Sequence, residues 1–119
     1  MTNPSFKNQK NSIERYSIKK FKEIRTISIL EGLIVQISPC KEISLKSGKI
    51  TTIQKMSIKD HTSQIMITLW GENCRPELEM NDRVLLKYAY PKYNSYSKKY
   101  EARLSKDGKL LRIAWPHSL

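Results

Sequence analysis

The sequence predicts a small all-β domain, either a sandwich or a closed barrel. Three observations favour this class: several short stretches alternate apolar and polar residues, turn-forming residues separate them, and helical patterns are few. The chain has 119 residues, which is enough for one domain and too few for two. Because an open sheet exposes two hydrogen-bonding edges, closure into a barrel protects a chain of this size most simply.

About five strands follow one another along the chain. Gly32, inside the first, predicts a bulge or a sharp bend. Pro76 and several acids indicate a loop with one helical turn between the third and fourth strands, and Pro91 ends the fourth. The stretches with strand patterns are TISILEGLIVQIS, KEISLKSGKITTI with its continuation QKMSIKD, QIMITLW, RVLLKYAY, and the pair KYEARLS and GKLLRIAW.

The two ends of the chain differ from its centre in composition. Residues 1–12 are rich in Asn, Ser, Lys and Gln, which predicts disorder, and residues 13–24 show only weak helical spacing. Trp115 is expected to cover the open end of the barrel. We therefore expect a flexible basic N-terminal arm or lead-in over 1–24, one domain over 25–114 and a C-terminal end over 115–119.

Charge is the strongest global signal. The chain carries 22 Lys and Arg against 11 Asp and Glu, a net charge of +11. Residues 41–59 have five lysines and one acid, residues 80–119 nine basic residues and three acids, and residues 60–79 one arginine and four acids. Such a balance favours a polyanion, either nucleic acid or an anionic membrane surface. A basic protein without such a partner is the simpler alternative. No apolar run is long enough for a transmembrane helix.

No catalytic or metal-binding pattern is present in the sequence. The two cysteines, Cys40 and Cys74, and the two histidines, His61 and His117, stand too far apart to form a ligand motif. The sequence also has no glycine-rich phosphate loop and no paired acid motif. We therefore expect a non-enzymatic intracellular protein with free thiols and without metal or cofactor. A Cys40–Cys74 disulfide is the alternative.

The stretch QIMITLW assigns its side chains to two faces of a strand. Successive side chains point to opposite faces, so Ile65, Ile67 and Leu69 share one side and Trp70 lies on the other, polar side. An exposed Trp gives up burial energy of about 1.5–3 kcal/mol unless something covers it. Trp70 is therefore either a ligand-binding residue or a residue covered by a neighbouring loop.

The stretch KYAYPKYNSYSKKY, residues 87–100, combines five tyrosines with four lysines and no acid. Tyr93 and Tyr96 lie in a segment too polar for the core, which favours an outward position. Simple alternation places Tyr88 and Tyr90 with the buried aliphatics of the preceding strand. A bulge near Lys87 would reverse the strand and expose Tyr90.

Three segments together resemble a known family. TIQKMSIKDHTSQIMITLWGE, LEMNDRVLLKYAY and YSKKYEARLSKDGKLLRI look like the archaeal single-domain single-stranded DNA-binding proteins, which are similar to the OB domains of replication protein A. The resemblance covers about residues 24–113. The positions that carry it are Asp60–Ser63, Thr68–Gly71, Asn81–Asp82, Tyr90 and Tyr96–Lys98.

The chain departs from the family pattern at several positions. Ser63, Asn81 and Lys98 stand where the family usually has Gly, and Tyr90 stands where its archaeal members have Trp. The segment from Tyr90 to Tyr96 is two residues longer than in the family.

The resemblance implies a five-stranded Greek-key OB barrel with a short helical link between strands 3 and 4. It also implies single-stranded DNA binding in replication, recombination or repair, in a cytoplasmic, nucleoid-associated location. Residues matching Trp70, Tyr90 and Tyr96 stack on bases in that family. Basic side chains would bind phosphates. The further candidate contacts are Tyr93, Lys55, Lys87, Lys92, Lys98, Lys99 and Arg103.

Two alternative functions remain open at the level of sequence. OB domains also bind RNA, and nothing in the sequence reads the 2′-hydroxyl that distinguishes RNA from DNA. Exposed aromatic residues are also typical of protein interfaces, so the chain could be an OB subunit that contacts a protein partner in a larger complex.

Overall fold

The computed structural model describes residues 13–113. Within this range, one short helix precedes six strands, and one 3-10 turn, Gly71–Asn73, follows the fourth strand. The helix α1 spans Ile18–Ile24, and the strands are β1 Ser28–Ile37, β2 Lys41–Ser44, β3 Ile50–Lys59, β4 Gln64–Trp70, β5 Arg83–Asn94 and β6 Lys99–Ile113. The sequence-based predictions for residues 1–12 and for Trp115 fall outside the described residues.

Five of the six strands close into a barrel. The strand order is β1-β5-β6-β4-β3-β2, and an additional antiparallel pairing between β1 and β3 closes the sheet on itself. The parallel pairing of β4 with β6, through Met66–Glu101 and Ile67–Ala102, joins the two halves. The predicted five-stranded all-β barrel is confirmed. The predicted helical link between the third and fourth barrel strands is the 3-10 turn between β4 and β5.

Strand β2 lies outside the closed barrel. It pairs only with β3 in the sheet, and the two strands form a hairpin arm that extends the edge. At the tip of this hairpin, Leu45 N donates to Lys49 O (2.8 Å) and Leu45 O accepts from Gly48 N (2.9 Å). Gly48 has a φ of 87°, a left-handed conformation that Gly adopts without steric cost. The Ser47–Gly48 turn predicted from the sequence lies at this tip.

Aliphatic side chains fill the interior of the barrel. Leu30, Ile58, Ile67 and Leu86 are fully buried, and each comes from a different strand. Gly32 lies where β1 approaches β3: a Cβ there would lie 3.0 Å from Lys59 O. The glycine predicted to mark a bulge therefore permits close strand contact. The register of β1 shifts on either side of it, between Ser28 and Leu30 against β5 and between Ile34 and Gln36 against β3.

Helix α1 packs against one end of the barrel. Ile18 and Phe21 are fully buried in the same core cluster as the strand residues. The helix begins after Ser17, whose hydroxyl accepts from Lys20 N (3.2 Å), and ends at Arg25, whose left-handed backbone donates to Phe21 O (3.1 Å). Residues 13–24, expected as a lead-in, thus contribute to the packed domain.

Asp60 links α1 to the turn between β3 and β4. Its carboxylate accepts from Ile18 N (2.8 Å), Thr62 N (2.8 Å), Thr62 Oγ1 (2.6 Å) and Ser63 N (3.0 Å). Burial alone would raise the pKa of Asp60, but these hydrogen bonds outweigh burial and lower the pKa below its usual value. The turn that carries part of the family resemblance is therefore also the anchor of the helix.

Candidate nucleic-acid interface

Strand β4 presents two distinct faces, and the predicted assignment of its residues is confirmed. Ile65, Ile67 and Leu69 are buried at 3%, 0% and 1% exposure, whereas Trp70 on the opposite face is 39% exposed. Trp70 lies across from Ile53 of β3, beside the root of the β2–β3 arm. A large aromatic side chain is therefore partly open to solvent on the outside of the barrel.

A bulge at Tyr88 decides which tyrosines of β5 face outward. Tyr88 has a φ of 57°, and the register with β6 shifts between Lys87 and Ala89. Ala89 is fully buried, so Tyr90 faces outward. Simple alternation, which would bury Tyr88 and Tyr90, is wrong beyond Lys87; the alternative of a bulge is confirmed. Tyr88 is half-buried and lies outside the core cluster.

The opposing strand β6 is shaped to receive this bulge. Lys87 pairs with Lys109 and Ala89 with Leu104, so β6 makes a four-residue excursion, 105–108, opposite a single residue of β5. A Cβ on Gly108 would lie 3.0 Å from Tyr88 O and 2.9 Å from Ser105 N. The absence of a side chain at Gly108 therefore lets the two bulged strands pack together.

The bulge brings Tyr90 beside Trp70. Both side chains line one open groove on the outer face of the barrel, which we call the aromatic groove. Tyr90 pairs across the strands with Arg103, so the guanidinium and the phenol occupy the same face. The residues of the aromatic groove are Thr68, Leu69, Trp70, Asn73, Tyr90, Arg103 and Leu104.

Arg103 joins this groove to a second hollow toward the β5–β6 hairpin. Its Nη2 lies 4.0 Å from Glu101 Oε1, at the limit of an ion pair. The Nε atom of Arg103 is buried, and no residue of the described range accepts a hydrogen bond from it. The second hollow, called here the tyrosine hollow, consists of Lys92, Tyr93, Asn94, Ser95, Tyr96, Glu101 and Arg103.

The tip of the β5–β6 hairpin displays Tyr96. Its side chain is 98% exposed, while Asn94 Oδ1 holds its backbone N–H at 2.9 Å. Lys98 has a φ of 58°, and its backbone N–H donates to Asn94 O at 2.7 Å. Lys98 and Asn81 (φ 74°) both adopt the left-handed conformation at positions where the family usually has Gly. Ser63 is not among the positive-φ residues of the described chain.

Tyr93 lies on the same hairpin and borders the tyrosine hollow, but its ring packs against Tyr100. It pairs with Tyr100 across the strands, and the two rings meet edge to face with centroids 5.2 Å apart. Arg25 Nη1 donates to the Tyr100 hydroxyl at 2.9 Å, and Tyr93 remains 51% exposed. Tyr93 therefore packs in an Arg25–Tyr93–Tyr100 cluster and also borders the tyrosine hollow. The structure does not place it with Trp70 and Tyr90.

Glu101 is a further residue of this face, and it was not predicted from the sequence. It is only 7% exposed, pairs across the strands with Lys92, and accepts from Asn94 Nδ2 at 2.7 Å. It lies on the same face as Arg103, two residues away. Period-two alternation in YEARL could have revealed it. An acid at the centre of a basic face orients the neighbouring donors and repels a phosphate placed directly above it.

The remaining predicted lysines lie around this face. Lys55 of β3 pairs with Thr68 of β4. Lys55 and Met66 border a separate hollow over β3 and β4, away from the aromatic groove. Lys99 borders an adjacent hollow that also includes Met66. Lys98 is at the hairpin tip, and Lys87 pairs with Lys109 on the other side of the bulge.

Lys22 of α1 is a further basic residue on this side of the barrel. It borders the same hollow as Lys99 and donates from Nζ to Ser63 Oγ at 2.8 Å. Burial, followed by the charge of Lys99, lowers the pKa of Lys22, and Asp60 partly opposes this shift. No sequence pattern marked Lys22, because its position depends on how α1 packs against the barrel.

Within residues 13–113 no cluster of three His, Cys, Asp or Glu side chains could hold a metal ion. The described helices include none that is long and apolar enough to cross a membrane.

Known proteins with similar sequences or structures share this architecture. No protein-family model matches the chain. Replication factor A of Methanothermobacter thermautotrophicus is 21% identical over 110 residues, which cover 84% of this chain and 14% of that protein. The chain thus spans a small part of the length of this curated relative.

Solved structures extend the comparison. The OB domain of a Thermoplasma acidophilum protein has a TM-score of 0.68 at 17% identity, covering 89% of this chain and 92% of that domain. The second OB-fold domain of replication protein A from Methanococcus maripaludis has a TM-score of 0.67 at 25% identity, covering 85% and 96%. A replication protein A heterotrimer bound to single-stranded DNA contains a chain with a TM-score of 0.70 at 14% identity, covering 84% and 25%. The protein is an OB-fold chain similar to the OB domains of archaeal replication protein A-like proteins.

Proposed function

We propose that the protein binds single-stranded DNA without catalysing a reaction, in replication, recombination or repair. The observation that carries this proposal is the aromatic groove, where Trp70, Tyr90 and Arg103 share one open hollow on the outside of a closed barrel. An exposed strand of nucleic acid offers unpaired bases, and every base has a face on which an aromatic ring can stack.

Stacking accounts for most of the proposed affinity. One base on an aromatic side chain contributes about 1–3 kcal/mol, with little dependence on sequence. Trp70 and Tyr90 lie in the aromatic groove and Tyr96 in the tyrosine hollow, so three rings are available along one path. Arg103 borders both hollows and connects them. Together the three rings could contribute roughly 3–9 kcal/mol before the cost of ordering the strand.

Basic side chains would hold the phosphates beside these rings. The Arg103 side chain borders both hollows and is 28% exposed, so its guanidinium can donate to a phosphate oxygen. Lys92 borders the tyrosine hollow, and Lys55 and Lys99 border the hollows across β4. Glu101 occupies the middle of this face, which favours phosphates along its edges.

The similar proteins support the class of ligand. One of the similar structures is a replication protein A heterotrimer bound to single-stranded DNA. The chain covers a quarter of its matched subunit and 14% of the curated relative, so partner proteins for this domain form part of the proposal.

Tryptophan fluorescence tests the proposal directly. The Trp115→Phe variant leaves Trp70 as the single tryptophan reporter. We expect oligo-dT to quench its emission, oligo-U to quench it less, and duplex DNA to have little effect at equal salt, because paired bases cannot stack on the protein. Equal or stronger quenching by oligo-U would favour the RNA-binding alternative. A lack of quenching by either single strand would contradict the proposal.

We expect the affinity for oligo-dT to fall steeply with salt. If about three to five phosphates are neutralised, log K should fall with log[salt] with a slope of about −2 to −3.5. Lys92→Gln should make this slope shallower by about one phosphate contact, roughly 0.7. Lys46→Gln, which removes a charge at the tip of the β2–β3 arm, serves as the matched control. A salt-independent affinity would contradict phosphate binding.

A further inference from the structure

Two segments distant in sequence meet below the β2–β3 arm. Gln54 of β3 is 1% exposed and its amide donates to Ser38 O (3.3 Å) and Arg75 O (3.1 Å), while its oxygen accepts from Arg75 N (2.7 Å). One buried side chain therefore ties the end of β1 to the loop that follows β4. Such a fully satisfied buried amide fixes the relative position of the two segments.

The strand register also brings these two segments together, at the row of paired residues next to Gln54. Lys41 of β2 pairs with Ile53 of β3, and Ile53 pairs with Trp70 of β4. Cys40 immediately precedes Lys41. The 3-10 turn that follows Trp70 folds back, with Cys74 N donating to Gly71 O at 3.1 Å. Cys40 therefore lies at one end of the paired row formed by β2, β3 and β4, and Cys74 lies in the turn at its other end.

The thiols of Cys40 and Cys74 interact. Burial, followed by the charge of Cys40 and its thiol–thiol contact, raises the pKa of Cys74, and a hydrogen bond with Thr52 partly offsets this rise. The Cys74 Sγ also lies 3.6 Å from Leu69 O. Both cysteines are half-buried and unoxidised in the structure, so a small reagent can reach them. The strand register, the Gln54 bridge and this thiol–thiol contact together bring the two free thiols close to each other beside the turn that follows Trp70.

We propose that Cys40 and Cys74 form a redox site that closes to an intramolecular disulfide in exchange with a low-molecular-weight disulfide. The site depends on neither the proposed ligand nor the stacking residues. It rests on the register of three strands, on the Gln54 bridge and on the contact between the two thiols.

The exchange balances with such an oxidant. The Cys40 thiolate attacks one sulfur of the small disulfide, forming a mixed disulfide and releasing one small thiolate. The Cys74 thiolate then attacks the sulfur of Cys40, closing the protein disulfide and releasing the second small thiolate. Two protein thiols are oxidised, one small disulfide is reduced to two thiols, and the two protons pass to the released thiolates or to solvent. We assign the first attack to Cys40, because the raised pKa of Cys74 lowers the fraction of Cys74 that is thiolate.

Closure would join the root of the β2–β3 arm to the turn behind Trp70. The closed loop contains β2, β3 and β4, so the bond removes conformational freedom from a long segment of the unfolded chain. It also restrains the turn that carries Asn73, one residue of the aromatic groove.

Mass spectrometry after treatment with oxidised glutathione tests the pairing. We expect the wild-type chain to remain monomeric, to lose the mass of two hydrogen atoms and both free thiols, and to recover them with dithiothreitol. Cys74→Ser should stop at a stable glutathione adduct on Cys40, because the second attack is removed. A wild-type chain that accumulates adducts or disulfide-linked dimers instead of closing would overturn the proposal.

Thermal unfolding provides a second measurement that does not depend on activity. We expect the oxidised chain to unfold at a Tm roughly 8 °C or more above that of the reduced chain, as expected for a loop of this size. The Cys40→Ser, Cys74→Ser double variant should show the same Tm with and without oxidant. A lower Tm on closure would show that the native positions of the two cysteines do not fit a disulfide.

Discussion

Phe21→Ala is expected to lower the free energy of unfolding by about 3–5 kcal/mol, the largest single effect in the barrel. The Phe21 side chain of α1 is fully buried in the barrel core and is one of the largest side chains there. Truncation removes its contacts and leaves a cavity that a closed barrel cannot collapse to fill. Urea unfolding followed by circular dichroism measures this loss as a fall in the midpoint.

Lys20→Ala is the matched control for this measurement. Lys20 is exposed on the same helix, so its substitution tests helix propensity without touching the core, and we expect a change within about 0.5 kcal/mol. If Phe21→Ala changed stability as little as Lys20→Ala, α1 would be detached from the barrel in solution. The domain would then begin near residue 25, as predicted from the sequence.

Trp70→Ala is expected to weaken binding of oligo-dT by about five- to 150-fold, the loss of one stacked base. The side chain lies opposite the buried Ile65, Ile67 and Leu69, so its removal leaves the core packing intact. Fluorescence anisotropy of a labelled oligo-dT measures the change in affinity, and the midpoint of thermal unfolding shows whether the fold is retained.

Leu111→Ala is the matched control for Trp70. Both side chains are 39% exposed, but Leu111 lies on the far part of β6, opposite Leu85 and beyond the bulge. We expect Leu111→Ala to leave the affinity unchanged. Lys92→Ala should reduce affinity by less than about 1 kcal/mol at moderate salt, because it removes one exposed charge. If Trp70→Ala unfolds the chain while binding per folded molecule is unchanged, Trp70 is a core residue and the stacking surface lies elsewhere.

Local patterns were sufficient for most of the strands and for β4 in particular. Alternation in QIMITLW assigned Ile65, Ile67 and Leu69 to the core and Trp70 to the outside, because each of these positions follows from its neighbour by the period of a strand. The Ser47–Gly48 turn was predicted from its turn-forming residues, and the barrel from the run of short strands and the need to protect the sheet edges.

Local patterns failed where two strands deform together. The alternation of β5 breaks at Tyr88, and its partner β6 accommodates the break through the 105–108 excursion and Gly108. Neither strand alone contains this information, because a bulge is stable only when the opposing strand leaves room for it. The side of the hairpin occupied by Tyr93 follows from that shift.

The sequence by itself determined that the chain is basic and strand-rich, with an outward Trp70 and a tyrosine-rich segment beside lysines, since composition and period-two alternation are local properties. The tertiary structure decided which of those aromatic residues meet. It placed Tyr90 beside Trp70, turned Tyr93 toward Tyr100, brought Glu101 into the basic face and joined Ser38 to Arg75 through Gln54. These contacts join segments far apart in the chain, and they depend on register and barrel closure, which no local pattern encodes.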